Sequence, residues 1–273
     1  MLIYIASYPR SGNTWVRQLI RHYFGYQTAS VYAEPQGSEP NLSYRQDGSF
    51  DAFSSFELPR QPGVTRLKLV NDCGPILGKN FRQQVAESET CFFLKTHEPP
   101  FPTYFRGESV LYLTREPGAV FWSYYNHLLR NQPQVSQHVT MDQVIAGNVP
   151  FGSWSKHSQA WLRIGTTLGE CFQLCTYEEI SQQETAPCDA ITLLTGLSYS
   201  KNNIPLPPLE HWHKTAPTLY RAEKEAKWQE HYTPRQLQAI YRKHRITMKQ
   251  LGYNPESYRQ PLIARFLLSR YWS

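Results

Sequence analysis

The sequence predicts an α/β fold: a single domain over 1–273 with a central, mostly parallel sheet flanked by helices. Three observations predict it. Short apolar, β-prone runs alternate along the chain with segments of helical spacing. Polar clusters stand directly after three of those runs, at the strand ends where open parallel sheets bind ligands. No repeat, low-complexity stretch or composition break divides the 273 residues, a length that suits one large α/β domain and holds an ample core.

The elements follow in order. Leu2 to Tyr8 is apolar and β-prone and reads as a buried strand. Thr14 to Phe24 carries Val16, Leu19, Ile20 and Phe24 on one helical stripe, and the polar turn Pro9-Arg10-Ser11-Gly12-Asn13 joins it to the strand. From Gln27 to Pro62 the chain is rich in Ser, Pro, Gly and Gln without a period, which predicts a long loop. Strands are expected from Thr65 to Val70, Cys91 to Leu94, Val110 to Thr114 and Cys171 to Thr176. Helices are expected from Pro117 to His127 or beyond, with proline at the first position, and over Trp154 to Ile164, Ala186 to Leu197 and Pro234 to Leu251, the last stopped by Gly252.

Composition narrows the class. Mean hydropathy is −0.54, with 40% hydrophobic and 14% aromatic residues, a folded and not a disordered composition. No run of 18 apolar residues occurs, so no transmembrane segment is expected. The start, Met1 to Ala6, lacks the basic region of a signal peptide, so a cytoplasmic location is expected. The net charge of +6 is uneven: His213 to Ser273 holds 12 Lys and Arg against 4 Asp and Glu. Such a region suits a polyanion, a membrane surface or nothing beyond solvent. Five cysteines, an odd number with no Cys-x-x-Cys pair, read as reduced thiols, Cys171 and Cys175 as core. His211 and His213 have no third ligand nearby, so no metal site is expected.

The first polar cluster, Ser7-Tyr8-Pro9-Arg10-Ser11-Gly12-Asn13-Thr14-Trp15, lies between strand and helix. Free backbone N–H groups and the helix dipole favour a phosphate there; Gly12 permits close approach, and Ser11, Asn13 and Thr14 add donors. Taken by itself such a turn is as readily structural, and the Walker pattern with its Lys is absent. Tyr8 to Trp15 closely resembles, however, the 5′-phosphosulfate loop of sulfotransferases that use 3′-phosphoadenosine 5′-phosphosulfate (PAPS), whose usual form is Y-P-K-S-G-T-T-W. The second cluster, Tyr112 to Tyr125, resembles their 3′-phosphate segment, with Arg115 and Ser123 at the family spacing of eight. Lys95-Thr96-His97 resembles the family's K-T-H. Gly152-Ser153-Trp154 with His157 and Trp161 resembles a G-S-W-x-x-H-x-x-x-W block, and Thr176-Tyr177-Glu178-Glu179 the Y-E-D segment. Arg221 and Trp228 keep two positions of R-K-G-x-x-G-D-W.

The resemblance spans about Leu2 to Leu251 and implies a P-loop-like phosphosulfate-binding loop after the first strand. It implies a soluble enzyme, of a bacterial-like branch acting on small molecules in secondary metabolism, that moves a sulfuryl group from PAPS to a hydroxyl or amine. The product is 3′-phosphoadenosine 5′-phosphate (PAP), and neither metal nor nucleic acid is implied. His97 is then the base, with Arg10 and Lys95 stabilising charge. Ser11, Gly12, Asn13, Thr14, Trp15, Arg115, Ser123, Tyr177 and Arg221 join Arg10 on the cofactor, and Glu98, Trp154 and His157 face the acceptor. Arg10 replaces the family Lys and cannot give up a proton, so its role would be electrostatic. Ala222 and Glu223 replace the Lys and Gly of the last motif, where Lys224 or Lys227 could compensate. No K-T-V-E dimer motif is found, so that mode of dimerisation is unsupported. Glu98 stands where the family has an apolar residue, and a cationic acceptor would give it a partner; solvent or a protein Arg would also serve. The rival classes are a P-loop nucleotide kinase or NTPase, against which the missing Walker Lys counts, and a non-catalytic RNA-binding module suggested by the basic tail.

Overall fold

The first strand, β1 (Leu2–Ser7), is buried along its whole length, as a central strand covered on both faces must be. Side-chain alternation divides it: Leu2, Tyr4 and Ala6 enter one apolar cluster with Phe92, Leu94, Val110, Tyr112 and Trp161, while Ile3 and Ile5 enter another with Val16, Leu19, Phe93, Leu111, Leu113 and Ile191. The computed structural model describes residues 1–26, 28–30, 55–57, 68–70, 78–131, 139–199 and 225–259. The chain divides into two compact units, Met1–Thr114 with Ala160–Pro208, and Arg115–Gln159 with Leu209–Ser273.

The first unit holds the sheet. Strands β2 (Thr28–Ser30), β5 (Phe92–Thr96), β6 (Glu108–Thr114) and β7 (Phe172–Thr176) join β1 in the order β2-β5-β1-β6-β7. Every pairing is parallel, as the alternation of strands and helices predicts. Because β5 and β6 flank β1 on opposite sides, chain direction across the sheet reverses there, and the loop after β1 opens at that switch point. Helix α1 (Asn13–Leu19) follows the loop and runs into a π-helical turn, Ile20–Phe24, so the expected stripe is present but the last turn is wider than an α-helix.

Several elements depart from expectation. The long loop from Gln27 to Pro62 contains β2 and also β3 (Ser55–Glu57), which pairs antiparallel with β4 (Lys68–Val70) in a separate two-stranded sheet. Helix α2 (Lys79–Ala86), not expected from the sequence, carries Arg82 to a buried bidentate pair with Glu108, at 2.8 and 2.6 Å. Arg82 also donates to Thr103 O at 2.7 Å and lies 3.7 Å from the centre of the Phe101 ring, which fixes the segment following Glu98. Cys171 ends a 3-10 turn before β7 and is exposed, whereas Cys175 is buried; only Cys175 is core. Burial pushes the Cys175 and Cys188 thiols up to about 12, which keeps both protonated. Cys73 and the pair His211 and His213 lie outside the described residues.

The second unit is helical among its described residues. Helices α3 (Pro117–Asn131), α4 (Met141–Ala146), the start of α5 (Trp154–Leu168) and α8 (Pro234–Gln250) bury Phe121, Tyr124, Ile145, Trp154, Ile240 and Met248. Helix α4 is another element not expected from the sequence; a full capping box between Thr140 and Gln143 starts it. At its heart His244 donates from Nε2 to Ile145 O at 3.0 Å and accepts the Ser155 hydroxyl at Nδ1, 2.7 Å away. Burial lowers its pKa to about 4, so the ring stays neutral.

Candidate active site

In the first unit the geometry starts from strand register. Ala6 pairs with Thr96 across β1 and β5, so Ser7, the last residue of β1, and His97, the first beyond β5, stand side by side at the strand ends. His97 Nδ1 lies 2.8 Å from Ser7 O and 3.2 Å from Ser7 Oγ. A carbonyl oxygen only accepts, so Nδ1 carries the hydrogen, and in the neutral ring the lone pair belongs to Nε2. That is the tautomer a general base at Nε2 requires. Lys95 stands half-buried on β5, in register with Ile5 and Ser30. Glu98 is tied through its backbone: its N–H donates to Thr96 Oγ1 at 3.0 Å, and its carbonyl accepts from Trp161 Nε1 at 3.3 Å.

The loop after β1 has two left-handed residues, Arg10 at φ 70° and Gly12 at φ 96°. Left-handed and right-handed residues in sequence turn consecutive N–H groups into one concavity, the geometry that cradles anions. Arg10 holds this conformation at a cost, since it has a Cβ. At Gly12 a Cβ would lie 2.8 Å from Cδ2 of Tyr177, so glycine alone lets the loop approach that ring. Tyr177 reaches it from α6 (Tyr177–Gln182), which begins directly after β7 and is capped by Thr176 and Glu179. Ser11 is fully buried, and its Oγ has no hydrogen-bond partner among the described residues. A buried, unmet hydroxyl in a polar loop that leads into a helix fits a bound phosphate. Thr14 and Trp15 are half-buried, Trp15 packed on the Ile3 and Ile5 side of the core. Asn13 differs from expectation: its side chain turns inward, donating to Ile5 O at 2.8 Å and Ser7 Oγ at 3.2 Å, and is not offered to the loop's concavity.

The second unit carries the other expected residues. Arg115 precedes α3, and Ser123 lies on that helix. Glu116 caps it, accepting from Ala119 N at 3.0 Å through its carboxylate and from Val120 N at 3.0 Å through its carbonyl. Trp154, expected at the acceptor, is 1% exposed and packs against His244 and Tyr253; His157 is also buried. Arg221 lies outside the described residues. Among the described residues no group of three or more His, Cys, Asp or Glu is placed to hold a metal ion, and no helix is long and apolar enough to cross a membrane. Sequence reasoning foresaw neither the contact of Ser7 with His97 nor the inward turn of Asn13. The signal available for the second was Asn at a position where the quoted family form has Thr.

A parallel sheet flanked by helices, with a left-handed polar loop between its first strand and first helix, is a P-loop-like fold. The profile of the sulfotransferase domain matches residues 2–252, and the chain belongs to that family. It is 28% identical over 166 residues to Sulfotransferase 1E1 of Mus musculus, covering 58% of this chain and 46% of the relative. It is 25% identical over 189 residues to Sulfotransferase 1E1 of Homo sapiens, covering 65% and 53%. The chain thus spans about half the length of the curated relatives it matches. The crystal structure of mouse sulfotransferase SULT7A1 complexed with PAP shares the fold with TM-score 0.54 and 16% identity, over 98% of this chain and 88% of that one. Retinol dehydratase in a complex with retinol and PAP does so with TM-score 0.53 and 14% identity, over 91% and 81%.

Proposed function

We propose that this chain, as one domain over 1–273, is a sulfotransferase that uses PAPS and sulfates a hydroxyl or amine of a small molecule in the cytoplasm. Family membership over 2–252 and the two PAP-bound fold relatives support the donor. The observation that carries the chemistry is His97, held with Nδ1 on the Ser7 carbonyl and its lone pair on Nε2, next to the left-handed loop that follows β1.

The donor supplies the activated sulfuryl group, transferred by in-line displacement at sulfur. His97 Nε2 takes the proton of the attacking hydroxyl or amine. Arg10 and Lys95 set positive charge where negative charge grows; Arg10, fixed as a cation, does so without proton transfer. Backbone N–H groups from Ser11 to Thr14 and the buried Ser11 hydroxyl hold the 5′-phosphate. Tyr177, against Gly12, and Trp15 give aromatic surface to the adenine. Arg115 and Ser123 take the 3′-phosphate, in keeping with the spacing of the resemblance.

Mass-spectrometric screening with PAPS, over neutral phenols and alcohols and cationic amines, tests the reading and reports whether Glu98 favours a cation. Turnover is expected to survive EDTA. His97→Ala is expected to lose about 10²–10⁴-fold in rate with PAP affinity retained. A variant that keeps most of its rate would place the base elsewhere.

A further inference from the structure

Three side chains of the first unit form a chain of hydrogen bonds that ends on His97. Asn13 opens α1, is 5% exposed, and donates from Nδ2 to Ile5 O and Ser7 Oγ. Ser7 is fully buried, and its Oγ lies 3.2 Å from His97 Nδ1. An amide nitrogen only donates, so Ser7 Oγ accepts from Asn13. His97 Nδ1 faces the Ser7 carbonyl at 2.8 Å and so carries a hydrogen, which makes Ser7 Oγ its acceptor as well. Two donors therefore converge on the lone pairs of one hydroxyl. A Thr at position 13, as in the family form, has a single hydroxyl hydrogen and could not serve Ile5 O and Ser7 Oγ together.

We infer that Ser7 and Asn13 are positioning residues for His97. The Asn13 amide turns the Ser7 hydroxyl so that its lone pair meets the imidazole Nδ1–H, and two oxygens of Ser7 hold the ring. The assignment rests on His97 acting as the base. It gives the base a fixed tautomer and plane, and it sets two acceptors against the positive ring that forms when Nε2 takes a proton. The charged neighbours of His97 along the chain are Lys95 and Glu98, with Arg10 in the loop after β1, and neither substitution removes any of them.

The test combines kinetics with side-chain nitrogen NMR of histidine-labelled protein, His97 being assigned by the signal lost in His97→Gln. Ser7→Ala is expected to lower kcat about 3- to 10-fold, the scale of one hydrogen bond, with KM for PAPS unmoved. The His97 titration and the acid limb of kcat are expected to move together to lower pH, because an acceptor for the imidazolium is gone. Asn13→Ala is expected to act in the same direction, and the double variant to cost no more than Ser7→Ala alone. Ser7→Thr, which keeps the oxygen, is expected to recover the His97 titration. If Asn13→Ala does not fold, as judged by circular dichroism, Asn13→Leu, close in size and without a donor, serves in its place. Additive losses in the double variant, or an unmoved His97 titration in Ser7→Ala, overturn the inference. If the wild-type protein transfers no sulfuryl group to any acceptor, the functional reading fails, while the NMR titration still decides whether Ser7 and Asn13 position the ring.

Discussion

Arg115 and Asn13 show what a single residue discloses from sequence. Arg115 is recognisable because its value lies in its charge and its eight-residue spacing from Ser123, both properties of the chain. Its removal in Arg115→Ala is expected to weaken PAP binding by about 1.5–3 kcal/mol, the range of a charge-assisted hydrogen bond, measurable by calorimetry. Unchanged affinity would take the 3′-phosphate from Arg115. The direction of the Asn13 side chain is less legible, for a physical reason. An amide on a polar loop suits a phosphate equally well from either side, and only the position of Ile5 O and Ser7 Oγ turns it inward. Arg10 adds a conformational surprise, since its left-handed backbone is one that residue types other than glycine and asparagine seldom adopt.

Elements with strong local signals are legible, and those made by long-range pairing are not. Strands β1, β5, β6 and β7 and helices α3, α5, α7 (Ala186–Thr195) and α8 follow from apolar runs, helical spacing and caps, with ends displaced by a few residues. Helix α2 is missed because KNFRQQVA offers few apolar positions; its place is secured by the Arg82–Glu108 pair. The start of α3 shows how tightly such elements meet. Gly118 donates to the Tyr258 hydroxyl at 2.8 Å and accepts from the Tyr232 hydroxyl at 2.6 Å. A Cβ there would lie 2.3 Å from Cζ3 of Trp228 and 2.7 Å from the Tyr258 oxygen. Gly118→Ala is therefore expected to destabilise the protein by about 1–3 kcal/mol through overpacking, despite the better helix propensity of alanine. Urea melts check this, and an unchanged midpoint would show that Trp228 and Tyr258 yield.

For the whole molecule, acid stability is expected to report on His244. Its folded pKa of about 4 lies below the ordinary histidine value of 6.5, because burial penalises the charged ring. Between those values the unfolded chain binds the extra proton and the folded one does not, so stability rises with pH across the window. The full contribution is present above pH 6.5, and ~3 kcal/mol is lost as pH falls toward 4. Urea melts at stepped pH check the slope, and His244→Asn is expected to flatten it. A wild-type curve that is flat between pH 4 and 6.5 contradicts the neutral buried ring.

By itself the sequence determined the order of the longer strands and helices, the three polar clusters after strands and the family they resemble. All of these are written in short spans, as apolar period, caps and motif spacing. The tertiary structure alone decided that β5 and β6 flank β1, that the Ala6–Thr96 register sets His97 beside Ser7, and that Tyr177 closes on Gly12. Partners 90 residues apart, as Ser7 and His97 are, meet through sheet pairing whose register no local pattern encodes. The tautomer of the proposed base follows from that meeting.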